Sequence, residues 1–144
     1  MKTLGLAERR AIKEYQDGKY VELKKAIDAA AGFEVAVDVQ WDLIAQPGEA
    51  DSYSSDDYWT NIYFQPLIDA LKSVTSDAMG KDSLKEHLKQ VVVTYDTATA
   101  PASNYPDGVK FVDGILTLNF TPWSNAGDVK PRTEAIQKTL EASL

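Results

Sequence analysis

A chain of 144 residues with 44% hydrophobic and 26% charged side chains suits one globular domain spanning residues 1–144, able to fold without covalent staples. It holds no cysteine, which excludes disulfides and thiolate metal sites, and with a single histidine no borderline-metal site is expected. The net charge of −7 argues against nucleic acid, whose phosphates require Lys and Arg, and no apolar run approaches the ~20 residues that span a bilayer.

Residues 4–16 read as a helix with Leu4, Ala7, Ala11, Ile12 and Tyr15 on one stripe. The few apolar residues between Lys2 and Glu8 fall short of a secretory core, so a cytoplasmic location is expected. Asp17-Gly18 signals a break. A second helix follows to Ala31, with Tyr20, Leu23, Ile27 and Ala30 inward and Gly32 in the capping position. Residues 33–41 alternate Val35, Val37, Val39 and Trp41 with Glu34, Asp38 and Gln40, which predicts a strand with one buried face and with Glu34, Asp38 and Asp42 on the wet one. Residues 46–58 read as a long loop whose Asp56 or Asp57 caps a helix running to about Ala78. Pro66 either kinks that helix near Ile62 or opens a later one, Leu67, Ala70, Leu71 and Val74 face inward, and Gly80 ends it. Ser83 and Glu86 have the spacing of a capping box for a short helix. The β-branched run at residues 91–95 predicts an inner strand.

Asp113-Gly114 between two apolar runs predicts a type I′ hairpin. Its register pairs Val112 with Ile115, Phe111 with Leu116, Lys110 with Thr117 and Val109 with Leu118. Asp128 is the expected N-cap of a last helix that has Pro131 in its first turn and buries Ala135, Ile136 and Leu140. This order predicts an α+β fold: a two-layer sandwich of about four mainly antiparallel strands with helices on one face.

Charge is segregated. Residues 1–25 carry a net +3, with a pair such as Arg10–Glu14 expected along the helix. Between Lys25 and Lys72 there is no Lys or Arg but nine acids: Asp28, Glu34, Asp38, Asp42, Glu49, Asp51, Asp56, Asp57 and Asp69. Aromatic residues crowd the middle of that zone. Unopposed like charges make sense where solvent or a cationic partner neutralises them, and Tyr and Trp are enriched at binding hot spots. The expected function is therefore an interaction protein that binds a basic protein surface, with Asp51, Asp56 and Asp57 steering and Tyr53, Tyr58 and Trp59 anchoring. Inhibitor and immunity-type proteins share this balance of charge and size, which is an analogy and no more. The alternative is a binder of a sugar or planar ligand in a pocket lined by Trp41, Asn61, Tyr63 and Trp123.

Catalytic chemistry finds no motif. There is no nucleophile elbow, Walker loop or dinucleotide fingerprint. His87 lacks a recognisable partner, and an EF-hand starting at Asp51 fails because Asp56 stands where Gly is required and Ile62 where Glu is required. The chain is expected to be no enzyme and to hold no metal or cofactor.

Overall fold

The structure is a computed structural model and describes residues 4–45, 58–101, 103–123 and 125–144. It is a mixed α+β fold with one four-stranded sheet. Helix α1 (Leu6–Asp17) is followed by α2 (Lys19–Ala31), and Gly32 closes α2 in the left-handed region at φ 86°, its N–H donating to Asp28 O. Ala11, Ile12 and Tyr15 are buried as expected, but Ala7 is exposed and Glu8 is buried in its place. The helical ion pairs among the described residues are Lys13–Asp17 and Lys24–Asp28 rather than Arg10–Glu14.

The first strand is shorter than its alternation suggested. Strand β1 covers only Val37–Val39, because Trp41 opens a short helix α3 (Trp41–Ile44). Aromatic packing gives the reason. Trp41 turns inward to meet Tyr15 at 5.7 Å, Tyr20 at 5.4 Å and Trp59 at 5.2 Å between ring centroids, mostly edge-on. At the other end, Val35 N–H is taken by the Asp28 carboxylate at 2.9 Å. Ladder pairing is thus interrupted on both sides.

Tyr58 and Trp59 are already helical and lead into a π-helical turn, Thr60–Phe64, which runs into α4 (Gln65–Val74). The Gln65 N–H reaches Thr60 O. Pro66 has no N–H to donate back to the preceding turn, and the wider π turn accommodates that loss without ending the helix. Both readings of Pro66 therefore meet in one device. The helix does not continue to Ala78. It stops at Thr75, and α5 (Ala78–His87) begins from Asp77, whose side chain accepts from Gly80 N–H at 2.7 Å. Gly80 is inside this helix rather than a terminator, and Ser83 is in its middle, so the Ser83–Glu86 capping box is corrected to an Asp77 cap.

Strand β2 (Gln90–Thr94) is central. After a short 3-10 turn (Tyr105–Gly108), β3 (Val109–Val112) and β4 (Ile115–Asn119) form the hairpin in the expected register. Asp113 and Gly114 both have positive φ, 54° and 83°, as the turn type demands. Helix α6 (Val129–Ser143) closes the described chain and buries Ala135, Ile136 and Leu140. Asp128 holds the cap position without a capping bond, because its carboxylate accepts the Tyr105 hydroxyl at 2.6 Å.

Strand order is β1-β2-β4-β3. The expectation of mainly antiparallel pairing is overturned: β1–β2 and β2–β4 are parallel, and only the hairpin is antiparallel. Connection length explains this. The helical excursion between β1 and β2 can return the chain in the same direction, and β4 rather than β3 docks beside β2. Val91, Val93, Leu116, Leu118 and Val109 are buried on one side. By register, the other side presents the row Asp38, Val92, Thr117 and Lys110, flanked by Gln90, Ile115 and Val112, all half-buried or exposed.

Candidate functional site: an acidic strand edge

The acids at β1 are set by three local choices. Glu34 precedes the strand, Asp38 occupies its outward register position, and Asp42 lies in the first turn of α3. All three are exposed. None makes an ion pair or side-chain hydrogen bond with any described residue. Asp28 and Asp69, in contrast, are engaged. Asp28 accepts Lys24 Nζ at 2.7 and 2.9 Å as well as Val35 N–H, and Asp69 accepts Gln65 Nε2 at 2.8 Å. The nearest cation in the sheet row, Lys110, is three strands from Asp38, about 14 Å at the usual strand spacing.

The backbone at the same place is also unused. The ladder to β2 takes Ala36 O, which accepts Val91 N–H at 2.8 Å, and Gln40 N–H, which donates to Val93 O at 2.9 Å. A parallel register engages alternate residues, so with Asp38 paired inward the N–H and C=O of Val37 and Val39 face away from β2. Among the described residues nothing bonds them.

Asp51, Tyr53, Asp56 and Asp57, expected as steering charges and an anchor, lie outside the described residues. Tyr58 is half-buried against the core. Trp59 is fully enclosed at 0% exposure, its indole N–H donating to Ile44 O at 3.0 Å and its ring edge-on to Tyr15 at 5.1 Å. It is a core residue, and the expectation of an exposed anchor there is corrected. Aromatic enrichment after an acidic loop carries no label that separates a helix start buried in the core from a docking surface.

The residues expected to line a pocket divide between the interior and the surface. Tyr63 is enclosed and donates its hydroxyl to Phe120 O, Trp41 belongs to the ring cluster, and Asn61 is half-buried. Trp123 is 40% exposed and stands edge-on to Tyr95 at 5.3 Å. A cleft of about 390 Å³ opens elsewhere, at the hairpin turn, lined by Glu86, His87, Lys89, Phe111, Asp113 and neighbouring residues. There the His87 Nδ1 lies 2.9 Å from Ser83 O. A carbonyl only accepts, so Nδ1 donates, and no carboxylate or nucleophile among the described residues is bonded to the ring. No group of three potential metal ligands gathers among the described residues, and none of their helices is long and apolar enough to cross a membrane.

A buried polar cluster went unforeseen. The Arg132 guanidinium is enclosed, 4.5 Å above the Tyr105 ring and 5.6 Å from the Phe120 ring, with Nη1 donating to Asn125 O at 2.6 Å. Burial holds its pKa below the usual guanidinium value, and burial followed by the hydrogen bond to Asp128 raises that of Tyr105. This cluster ties the first turn of α6 to the preceding loop and to the 3-10 turn. Its only sequence signal was an Arg one helical turn beyond a capping Asp, which is too common to single out.

Comparison with known proteins finds no family model that matches the chain, no curated protein similar to it in sequence and no solved structure similar to it in fold. The functional reading rests on this chain's own residues.

Proposed function

We propose that this protein is a binding module for a basic protein surface and that β1 is its acidic working edge, at the side of a two-layer arrangement of sheet and helices. One observation carries the reading: Glu34, Asp38 and Asp42 are exposed together with no counter-charge among the described residues. Carboxylates that only decorate a surface are ordinarily interspersed with Lys and Arg, whereas this stretch of chain has none from Ala26 to Leu71. A field of one sign steers a cationic partner and opposes an acidic one. The reading extends to Asp51, Asp56 and Asp57 by sequence continuity alone. Anchoring passes from Trp59 to the half-buried Val37 and Val39.

The test is fluorescence anisotropy with a labelled lysine-rich peptide and its glutamate counterpart. The wild-type chain prefers the cationic peptide, and the preference weakens as salt is raised. The Glu34→Gln/Asp38→Asn/Asp42→Asn variant loses about tenfold in affinity, from three exposed charges at about 0.2–1 kcal/mol each. Equal binding by the variant and the wild type would remove this surface from consideration.

A further inference from the structure

The edge that carries the acids is also an incomplete sheet. We infer that β1 accepts an added β-strand from its partner and that the added segment alternates basic and apolar residues. The inference rests on the proposed function and specifies how that surface would bind.

Three features of the structure lead to it. The outward N–H and C=O groups of Val37 and Val39 form four unused ladder positions, with the two residues about 6.6 Å apart along the strand. Such an edge is a template for another strand, and main-chain hydrogen bonds then supply affinity while alternate side chains supply specificity. The faces of β1 dictate what those side chains are. Val37 and Val39 point toward the core side of the sheet, continuous with buried Val91 and Val93, so neighbours added there are apolar. Asp38 points to the other side, and a residue placed directly across from it lies about 5 Å away, within reach of a Lys or Arg. Glu34 and Asp42 extend the same preference beyond the strand at both ends.

The charges also decide between occupants. A second copy of this chain is disfavoured, because antiparallel self-pairing centred on Asp38 sets that carboxylate against itself, and like charges directly opposite destabilise a ladder. Charge and brevity are the usual defences of an edge against uncontrolled pairing, and here the same defence admits one class of segment, the cationic strand. Val35 limits the length. Its N–H is already held by Asp28, so the addition ends near the start of β1.

The experiment uses the full chain and a synthetic peptide of alternating Lys and Val, with two controls: a Glu-Val peptide, and a Lys-Val peptide N-methylated at alternate residues. N-methylation removes the ladder donors on one side and leaves the charge intact. The readouts are affinity and residue-resolved amide exchange. In the free protein, Val37 and Val39 amides exchange faster than the paired Asp38 amide. Saturating Lys-Val peptide slows both by about tenfold or more, as expected for amides drawn into a ladder. The methylated peptide binds about tenfold more weakly, consistent with the loss of one or two hydrogen bonds. If the methylated peptide binds as well and Val37 and Val39 exchange is unmoved, strand addition is overturned while charge recognition survives. If Val37 and Val39 are already as protected as Asp38 in the free chain, the rest of the chain covers the edge and the inference falls. If Lys-Val and Glu-Val peptides bind alike, the parent reading fails as well.

Discussion

Trp59 shows how the packing of one residue decides which reading of the surface survives. Its indole N–H meets Ile44 O inside the ring cluster. Trp59→Phe keeps an aromatic ring but strands that carbonyl, at a cost of about 1–3 kcal/mol. Urea denaturation reads the loss, and cationic-peptide affinity stays unchanged in the folded variant. A variant of full stability and impaired binding would restore the anchor role. Tyr20 makes a second residue-level prediction. Burial, reinforced by the charge of Asp28, pushes its phenol from 10.0 up to about 12. A raised phenol pKa means the folded chain keeps a proton that the unfolded chain has released. Stability from this group is therefore intact below pH 10.0 and declines as pH rises toward about 12. Tyr20→Phe carries no such titration and flattens the alkaline limb of a denaturation-midpoint profile.

At the level of elements, Gly80 sets helix propensity against sterics. In a helix interior, Gly→Ala normally gains up to about 1 kcal/mol. Here a Cβ on residue 80 would fall onto the backbone oxygen of Val74 and lie 3.1 Å from the Asp77 carboxylate that caps α5. Backbone cannot swing aside as a side-chain tip can, so the clash wins, and Gly80→Ala lowers stability by about 1–3 kcal/mol in chemical denaturation. The same glycine shows the limit of reading elements from sequence. Gly80 looked like a terminator because Gly commonly follows a helix, and only the closeness of the α4–α5 junction reveals that it is needed inside one. The hairpin was legible in every pair because turn chemistry and alternation agree there locally. Helix faces were legible for the same reason, with Ile27, Leu67, Leu71 and Ile136 all buried. The end of β1 was not legible, since Trp41 continues the alternation perfectly and is turned aside by rings that arrive from α1, α2 and the residue leading into the π turn. Parallel pairing was hidden likewise, because period two is common to both strand directions. Of the candidate site, the acids were plain in the sequence, but their meeting with an unpaired edge depends on which strand ends up outermost.

For the molecule as a whole, the separation of charge along the chain becomes a statement about stability. The net charge of −7 is unevenly held: residues 1–25 carry seven of the 15 Lys and Arg and a net +3, and the stretch through β1 and α3 has carboxylates alone. Glu34, Asp38 and Asp42 find no counter-ion among the described residues, so they act on the fold mainly through mutual repulsion. The helical start at Trp41 shortens the step from Asp38 to Asp42, and Glu34 and Asp38 stand about 13 Å apart along extended backbone at ~3.3 Å per residue. That separation exceeds the screening length of about 8 Å at physiological salt but lies well within the roughly 30 Å that holds at 0.01 M. The melting temperature therefore rises as sodium chloride is added from ~0.01 M to ~0.15 M and then levels off, because most of the screening is complete by that point. The Glu34→Gln/Asp38→Asn/Asp42→Asn variant starts from a higher melting temperature at low salt and responds less. The two Lys–Asp pairs on α1 and α2 work in the opposite direction, since salt weakens attraction as well as repulsion. The sign of the salt response thus reports which population of charges dominates. A salt response identical in the wild type and the Glu34→Gln/Asp38→Asn/Asp42→Asn variant would mean that the acids of β1 exert no unscreened repulsion in the free chain, and a surface already neutralised has nothing left to offer a cationic strand.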